Sequence, residues 1–187
     1  SLVNMARQDT AAAAFNMSDY VKSQPDDFRG YFILGDLYSS MGEYFDALVN
    51  YQKAVFIRPD DIHARYAIGL TLKQLQEYTD AIQALRIVLT IDPEHPQALF
   101  EMGTIYIALE QFEKAIPYLT QALVRNPANA ETYFHLGVAN YRSNNLPRAI
   151  EALQSAINID PEHLWAHYYL GRINESILKA DVARLHY

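Results

Sequence analysis

Two nearly identical stretches, "YFILG" at residues 31–35 and "YFHLG" at residues 133–137, decide how this sequence is interpreted. Three related stretches also end in glycine: "RYAIG" at 65–69, "LFEMG" at 99–103 and "HYYLG" at 167–171. The final glycines lie 34 residues apart, at Gly35, Gly69, Gly103, Gly137 and Gly171. A regular period of this length indicates a repeat architecture.

Other residue types recur on the same 34-residue spacing. An alanine stands twelve residues after each glycine, at Ala47, Ala81, Ala115, Ala149 and Ala183. A proline closes four of the blocks, at Pro59, Pro93, Pro127 and Pro161. Within each block, two stretches carry apolar residues three and four apart, which is helical spacing. Because proline cannot continue a helix, each block predicts two helices followed by a break.

The repeated glycines need a physical reason, because a glycine inside a helix costs about 1 kcal/mol relative to alanine. We expect the first helix of each block to approach the second closely at this position. The alanine twelve residues later would be the matching small residue, as with Gly103 and Ala115.

The stretch "YFILGDLYSSMGEYFDALVNYQKAVFIRP" at residues 31–59 resembles the tetratricopeptide repeat (TPR). The resemblance covers the whole chain and implies an all-α fold, a right-handed α-solenoid of stacked antiparallel helix pairs. It implies a single array with full repeats at 28–61, 62–95, 96–129 and 130–163, and partial repeats at 1–27 and 164–187. The last partial repeat would stop inside its second helix. Since both ends fall inside a repeat, we expect a fragment of a longer protein, or ends covered by another chain.

The composition narrows the class of function. The net charge is −7 with no basic run, which disfavours binding to nucleic acid. The absence of cysteine excludes disulfides, thiol catalysis and thiolate metal sites, and it favours a cytoplasmic location because it fits a reducing compartment. No apolar run approaches the roughly 20 residues that span a bilayer, so direct membrane insertion is not expected.

No pattern nominates a catalytic, cofactor-binding or metal site. His163 and His167 are four residues apart and could share a helix face, but no third ligand has matching spacing. The Asp-Pro-Glu motifs at 92–94 and 160–162 recur at one repeat junction, and helix-start capping explains them. There is neither a nucleophile motif nor a phosphate-binding glycine loop. We therefore expect a protein that is not an enzyme and carries no cofactor.

The expected binding surface is the concave side, which the first helices line in the family that the sequence resembles. The candidate partner-binding residues are Phe100, Phe134, Val138, Tyr141, Arg142, Trp165, Tyr168, Tyr169 and Arg172. Aromatic anchors often carry interface energy. They favour a protein or peptide segment that is apolar or amphipathic, with a second copy of the chain as the rival occupant. For each ring, packing between neighbouring helices is the alternative.

These observations favour a protein–protein interaction scaffold that recruits or assembles partner proteins. Two alternatives stay open: the repeat arm of a larger enzyme such as a glycosyltransferase, and a bacterial organelle (magnetosome-type) or envelope and pilus assembly factor. Apolar residues near the ends also predict head-to-tail association into a homo-oligomer. They are Leu2, Val3 and Met5 at one end, and Leu178, Val182 and Leu185 at the other.

Overall fold

A computed structural model describes the backbone of residues 2–184 and the side chains of residues 9–178. That backbone holds ten helices and no strand: α1 (Leu2–Ser23), α2 (Phe28–Met41), α3 (Tyr44–Ile57), α4 (Ile62–Gln74), α5 (Tyr78–Ile91), α6 (Pro96–Ala108), α7 (Phe112–Arg125), α8 (Ala130–Arg142), α9 (Leu146–Ile159) and α10 (Leu164–Arg184). The predicted all-α class of paired helices is confirmed. None of the helices in the described part combines the length and the hydropathy needed to span a bilayer.

The chain forms two compact units. Unit 1 is Ser1–Pro93 and contains α1 to α5, and unit 2 is Glu94–Tyr187 and contains α6 to α10. In unit 1, α2 pairs with α3 and α4 pairs with α5, while α1 packs on α2 and α3 on α4. In unit 2, α6 pairs with α7 and α8 with α9, while α7 packs on α8 and α9 on α10. Each complete pair therefore lies within one 34-residue block.

The N-cap residues of the first helices share one position of the 34-residue repeat, which was not recognised from the sequence. A side chain at the N-cap accepts a hydrogen bond from a backbone N–H of the following first turn, at Asp27, Asp61, His95, Asn129 and His163. Both histidines accept through Nδ1. The interpretation of the Asp-Pro-Glu motifs as helix-start caps is wrong, because their first acids, Asp92 and Asp160, instead close α5 and α9 as C-cap residues.

The turn inside each helix pair also lies on one column of the repeat. Its residue has a positive φ, between 56° and 80°, at Gly42, Gln76, Glu110 and Asn144. The next position on this grid is Leu178, where α10 continues as a helix to Arg184. A second helix was expected to begin within 164–187, but the described backbone has one unbroken helix there. An apolar leucine stands where the other blocks place a glycine or a polar residue.

Gly103 on α6 shows why the glycine column exists. A Cβ atom built there would lie 2.5 Å from side-chain carbons of Leu119 on α7, well inside van der Waals contact. Leu119 and Ala115 are both fully buried. The immediate partner of the glycine is therefore the residue sixteen positions later, and not the alanine twelve positions later that the sequence suggested. Gly171 differs, because a Cβ atom there would meet no atom of the described side chains within 4 Å.

The two ends carry the residues that were predicted to form apolar association faces. Leu2, Val3, Met5, Val182 and Leu185 lie outside the described side chains. Leu178 is described, and its side chain is exposed. Head-to-tail association therefore stays a prediction.

Candidate functional site

The first helices of the last two repeats carry a connected group of rings, which we call the aromatic patch: Phe134 and Tyr141 on α8, and Trp165, Tyr168 and Tyr169 on α10. Tyr169 lies at its centre, with ring centroids 5.9 Å from Phe134, 5.7 Å from Tyr141 and 5.6 Å from Tyr168. The Trp165 ring continues the group, 5.8 Å from Tyr168. Interplanar angles of 61° to 87° make these four contacts edge-to-face, the arrangement that ring quadrupoles favour.

The aromatic patch has a buried side and an exposed side. Phe134, Tyr141 and Tyr169 are half-buried and pack against the core of unit 2 around Leu153 and Ile173. Trp165 and Tyr168 are 58% and 47% exposed. Packing between helices therefore explains much of the first three rings, whereas Trp165 and Tyr168 offer most of the surface that a partner could reach.

The two candidate arginines have different surroundings. A guanidinium nitrogen of Arg172 donates to the Tyr168 hydroxyl at 3.0 Å, and the group lies 5.9 Å from the centre of that ring. This hydrogen bond raises the pKa of Arg172. Arg142 instead lies over the Phe112 ring of α7, at 5.1 Å, with a nitrogen 3.7 Å from the Glu110 carboxylate. The structure brings Arg172 to the patch and places Arg142 at the turn between α6 and α7.

The remaining two candidates contribute little surface. Val138 is buried, so its side chain belongs to the core of unit 2. Phe100 is half-buried on α6 and reaches the patch through His135, whose ring lies 5.5 Å from Phe100 and 5.1 Å from Phe134. The spacing of the sequence placed both residues on the correct helices, but it could not reveal what covers them.

A polar clasp beside the patch was not identified from the sequence. The Glu131 carboxylate lies 3.1 Å from His135 Nε2 and 3.3 Å from His163 Nε2. Since His163 Nδ1 accepts the backbone N–H of Ala166, its Nε2 carries the hydrogen that Glu131 accepts. The Phe134 ring packs on His163 at 4.9 Å. This clasp ties the start of α8 to the start of α10 and so positions the rings of both helices.

The histidine pair considered as a metal site does not converge on one point. His163 faces Glu131, whereas His167 Nε2 lies 3.0 Å from the Pro161 carbonyl oxygen. Among the described residues, no group of three or more His, Cys, Asp or Glu side chains could hold a metal ion.

Unit 1 carries an open groove on its own first helices, which the sequence analysis did not select. The groove measures about 340 Å³ and is lined by Phe32, Asp36, Ser39, Tyr51, His63, Tyr66, Ala67, Leu70 and Thr71. Tyr51 donates to Asp36 Oδ1 at 2.7 Å. Burial and then this hydrogen bond raise the pKa of Tyr51 above the usual range of tyrosine. The signal for this groove in the sequence is the pair of polar residues Asp36 and Ser39 on α2, where the equivalent positions of α8 carry Val138 and Tyr141.

Comparisons with known proteins agree with this architecture. Family profiles described as "Tetratricopeptide repeat" match residues 72–116 and 100–163, and one described as "TPR repeat" matches residues 35–76. No curated protein sequence matches the chain significantly.

Several solved structures share the fold. MamA aligns with a TM-score of 0.79 at 20% identity, covering 84% of this chain and 92% of that chain. MamA 41-end from Desulfovibrio magneticus RS-1 aligns with a TM-score of 0.78 at 22% identity, covering 86% and 90%. YrrB, described as a TPR protein with an unusual peptide-binding site, aligns with a TM-score of 0.77 at 19% identity, covering 90% and 87%. At these identities the likeness concerns the fold alone.

Proposed function

Because the chain belongs to the tetratricopeptide repeat family, we propose that it is a non-catalytic scaffold that binds a protein or peptide segment on the aromatic patch. The segment is apolar or amphipathic and crosses α8 and α10. The observation that carries the proposal is the exposure of Trp165 and Tyr168 beside three rings that are anchored in the core of unit 2.

The physical basis is the cost of leaving large rings in water. Each square ångström of apolar surface that a partner covers contributes about 25 cal/mol. Tryptophan and tyrosine are enriched among the residues that dominate binding energy. The Tyr169 ring contacts the Tyr168 ring edge-to-face, which reduces the conformational freedom that Tyr168 loses when a partner binds.

The charge beside the patch suggests the character of the partner. Arg172 lies at the edge of the patch, against Tyr168. A partner with an acidic residue next to its apolar anchors would pair with this guanidinium, which contributes orientation and association rate more than affinity. Arg142 contacts Phe112 and Glu110 instead, so the proposed binding surface does not include it.

The kind of partner and the kind of scaffold are further parts of this proposal. The fold shared with YrrB, a protein with a peptide-binding site, supports a peptide partner for this chain. The fold shared with MamA is compatible with the alternative of a bacterial organelle scaffold of magnetosome type. The repeat arm of a larger enzyme and an envelope or pilus assembly factor are the remaining alternatives from the sequence. Sedimentation of the chain over a range of concentrations tests self-association directly.

A selection experiment tests the aromatic patch. Displayed 16-residue random peptides would be selected on the wild-type chain alone, and the affinity of the selected peptides for a Trp165→Ala/Tyr168→Ala variant would then be measured. We expect apolar sequences with neighbouring acids, and a blue shift of the Trp165 emission on binding, since this is the only tryptophan. The double variant should lose affinity at least about tenfold, the scale of an interface hot spot.

The matched control is Phe45→Ala/Phe56→Ala in unit 1, because both rings are also exposed, at 69% and 87%. This control should bind the selected peptides as the wild type does. Equal binding by the patch variant would contradict the proposal. A collapse of its helix content would also contradict it, because the two rings would then be part of the core.

A further inference from the structure

A second groove in unit 2 lies on its second helices and is separate from the aromatic patch. It measures about 440 Å³ and is lined by Ile116, Thr120, Tyr133, Leu136, Asn140, Arg148, Glu151, Ala152 and Ser155. On α8, Tyr133, Leu136 and Asn140 are three and four residues apart and share one face. Phe134 and Tyr141 of the patch lie on another face of the same helix. The proposed function leaves this groove without a role.

Unit 1 contains the equivalent groove, and there the chain partly fills it with its own side chains. That groove measures about 240 Å³ and is lined by Ser18, Val21, Lys22, Tyr31, Leu34, Tyr38, Asp46, Asn50 and Lys53. An offset of 102 residues, three repeats, relates Tyr31 to Tyr133 and Leu34 to Leu136. The Lys53 ammonium lies 5.4 Å from the centre of the Tyr31 ring, in a cation–π arrangement.

Unit 2 keeps the ring and loses the side chains that occupy the space. Ser155 stands at the position of Lys53, Ala152 at that of Asn50, and Asn140 at that of Tyr38. All three are smaller, which accounts for the larger groove. Ser155 brings no cation to the Tyr133 ring, and its hydroxyl donates to the Glu151 carbonyl oxygen at 2.9 Å.

The side chain of Asn140 adds an unsatisfied hydrogen-bond acceptor at this groove. Its side chain is 98% buried, given a relative exposure of 2%. Nδ2 donates to the Leu136 carbonyl oxygen at 2.8 Å, which fixes the orientation of the amide. Oδ1 is buried and has no hydrogen-bond partner within the described residues. A buried acceptor that lost its water without gaining a donor is unfavourable, so a ligand N–H that reaches it gains binding free energy.

We propose that this groove binds the cationic side chain of a lysine or arginine from a polypeptide partner. The cation lies over the Tyr133 ring, as Lys53 lies over Tyr31 in unit 1. A small movement of the side chains around Asn140 lets the cation also donate a hydrogen bond to the buried Oδ1. Unit 1 thus shows in its own structure which chemistry the groove accommodates. This site goes beyond the proposed function, because it uses neither Trp165 nor Tyr168.

The charges around the groove refine the partner. The Glu151 carboxylate attracts the incoming cation, whereas Arg148, which stands at the position of Asp46, repels it unless an acidic residue of the partner pairs with Arg148. The preferred partner therefore carries one basic residue with an acidic residue beside it, which pairs with Arg148. The net charge of −7 assists the encounter with a basic segment.

A nuclear magnetic resonance titration of the ¹⁵N-labelled chain tests the site with small probes. The probes are Nα-acetyl-L-arginine methylamide, the lysine derivative, and the neutral norleucine derivative of similar length. We expect the cationic probes to shift the Asn140 side-chain amide and the backbone amides of Tyr133 and Ser155, with a dissociation constant on the order of 1 mM. The norleucine derivative should bind at least about tenfold more weakly, since it lacks the charge and the donors.

Two variants decide whether the groove is responsible. Asn140→Leu removes the acceptor and introduces the residue that Leu72 supplies on the same column of another repeat. Ser155→Lys introduces the cation that Lys53 supplies in unit 1. Each should weaken binding of the arginine probe at least about tenfold. If Asn140→Leu fails to fold, Ser155→Lys decides alone.

The control is Tyr168→Ala, which should leave the probe affinity unchanged and so separates this site from the aromatic patch. Unchanged arginine binding by Ser155→Lys would overturn the proposal. Norleucine binding as tight as that of arginine, on the same resonances, would also overturn it.

Discussion

Units 1 and 2 share one repeat, yet their grooves differ: side chains of the chain itself fill the space on different helices in the two units. On the first helices, unit 1 has an open groove around Asp36, whereas unit 2 has the half-buried ring of Tyr169 between Phe134 and Tyr141. On the second helices, unit 1 has Lys53 over Tyr31, whereas unit 2 has the larger groove at Asn140. The difference suggests that the two units present distinct surfaces to partners.

The interiors of the helix pairs, unlike their surfaces, are the same in both units. In both units the glycine of the first helix meets a large side chain sixteen residues later: Gly35 meets Tyr51, and Gly137 meets Leu153. The alanine column is fully buried in both, as at Ala47 and Ala149. Positions that face inward are therefore held nearly constant by packing, and positions that face outward are free to acquire a function.

The largest expected effect tests the shared interior. Gly103→Leu places a side chain where even a Cβ atom lies 2.5 Å from Leu119, so the free energy of unfolding should fall by about 1–3 kcal/mol. Ala115→Leu, at a fully buried position, should lower the free energy of unfolding by a similar amount. Urea unfolding followed by circular dichroism measures both.

The matched control for this interior is Gly171→Leu, because no atom of the described residues lies within 4 Å of a Cβ atom there. Its free energy of unfolding should stay within about 0.5 kcal/mol of the wild type, or rise through better helix propensity. Equal destabilisation at Gly103 and Gly171 would show that close packing is not the reason for the glycine column.

A smaller effect compares the turns of the two units. Glu110 in unit 2 adopts a φ of 56° on the column where unit 1 has Gly42, with a φ of 80°. Since this conformation is strained for a residue with a Cβ atom, Glu110→Gly should raise the free energy of unfolding by roughly 1 kcal/mol. Gly42→Ala should lower it by a similar amount.

Both turn variants can be measured by urea unfolding under one set of conditions. Glu110→Gly also removes the 3.7 Å contact with Arg142, but an exposed ion pair contributes little. Destabilisation by Glu110→Gly would mean that this contact outweighs the backbone strain, and the prediction would fail.

The smallest effect concerns a single helix cap, Asp27 in unit 1, whose equivalent in unit 2 is the uncharged Asn129. The Tyr20 hydroxyl donates to Asp27 Oδ2 at 2.8 Å, and this bond, with the backbone N–H of Arg29, lowers the pKa of Asp27. Asn129 caps α8 in unit 2 without a titrating group. Because the folded pKa lies below the unfolded value of about 3.9, Asp27 stabilises the fold above that pH. Its contribution is lost as the pH falls through the folded pKa.

Asp27→Asn isolates this titration, since asparagine is also a good N-cap residue. The difference in melting temperature between wild type and variant should shrink as the pH is lowered from 7 to below about 4. Thermal unfolding monitored at several pH values measures it. A difference that stays constant over this range would show that the carboxylate is not the group responsible.

The sequence predicted the helix pairs because their information is local and repeated. The repeated glycines, alanines and prolines each reflect a contact or a break inside one block, so four or five copies of each indicate the same structure. The shared N-cap position was not predicted, because it holds histidine at 95 and 163 and aspartate or asparagine in the other repeats. The missing turn at Leu178 was not predicted either. The 34-residue spacing continues to this residue, but the residue type changes from glycine or a polar residue to leucine.

The candidate site was predicted less completely, for a physical reason. Tyr168 was predicted from its spacing and Trp165 from the aromatic content of the last repeats, and the structure leaves both exposed. Val138 shares that spacing but is buried, and Arg142 contacts Phe112 and Glu110 on a different part of unit 2. Helical spacing indicates the direction of a side chain from its own helix. It does not indicate which residue of a neighbouring helix meets it.

By itself the sequence determined the family, the all-α class and the paired helices, because a 34-residue period constrains the backbone in every block. Only the tertiary structure decided which rings are exposed, which arginine lies beside them, and where grooves open. These outcomes depend on differences in side-chain volume between residues that pack together from separate helices, such as Lys53 in unit 1 and Ser155 in unit 2. A period in the sequence records what the repeats share, whereas a binding surface arises where they differ.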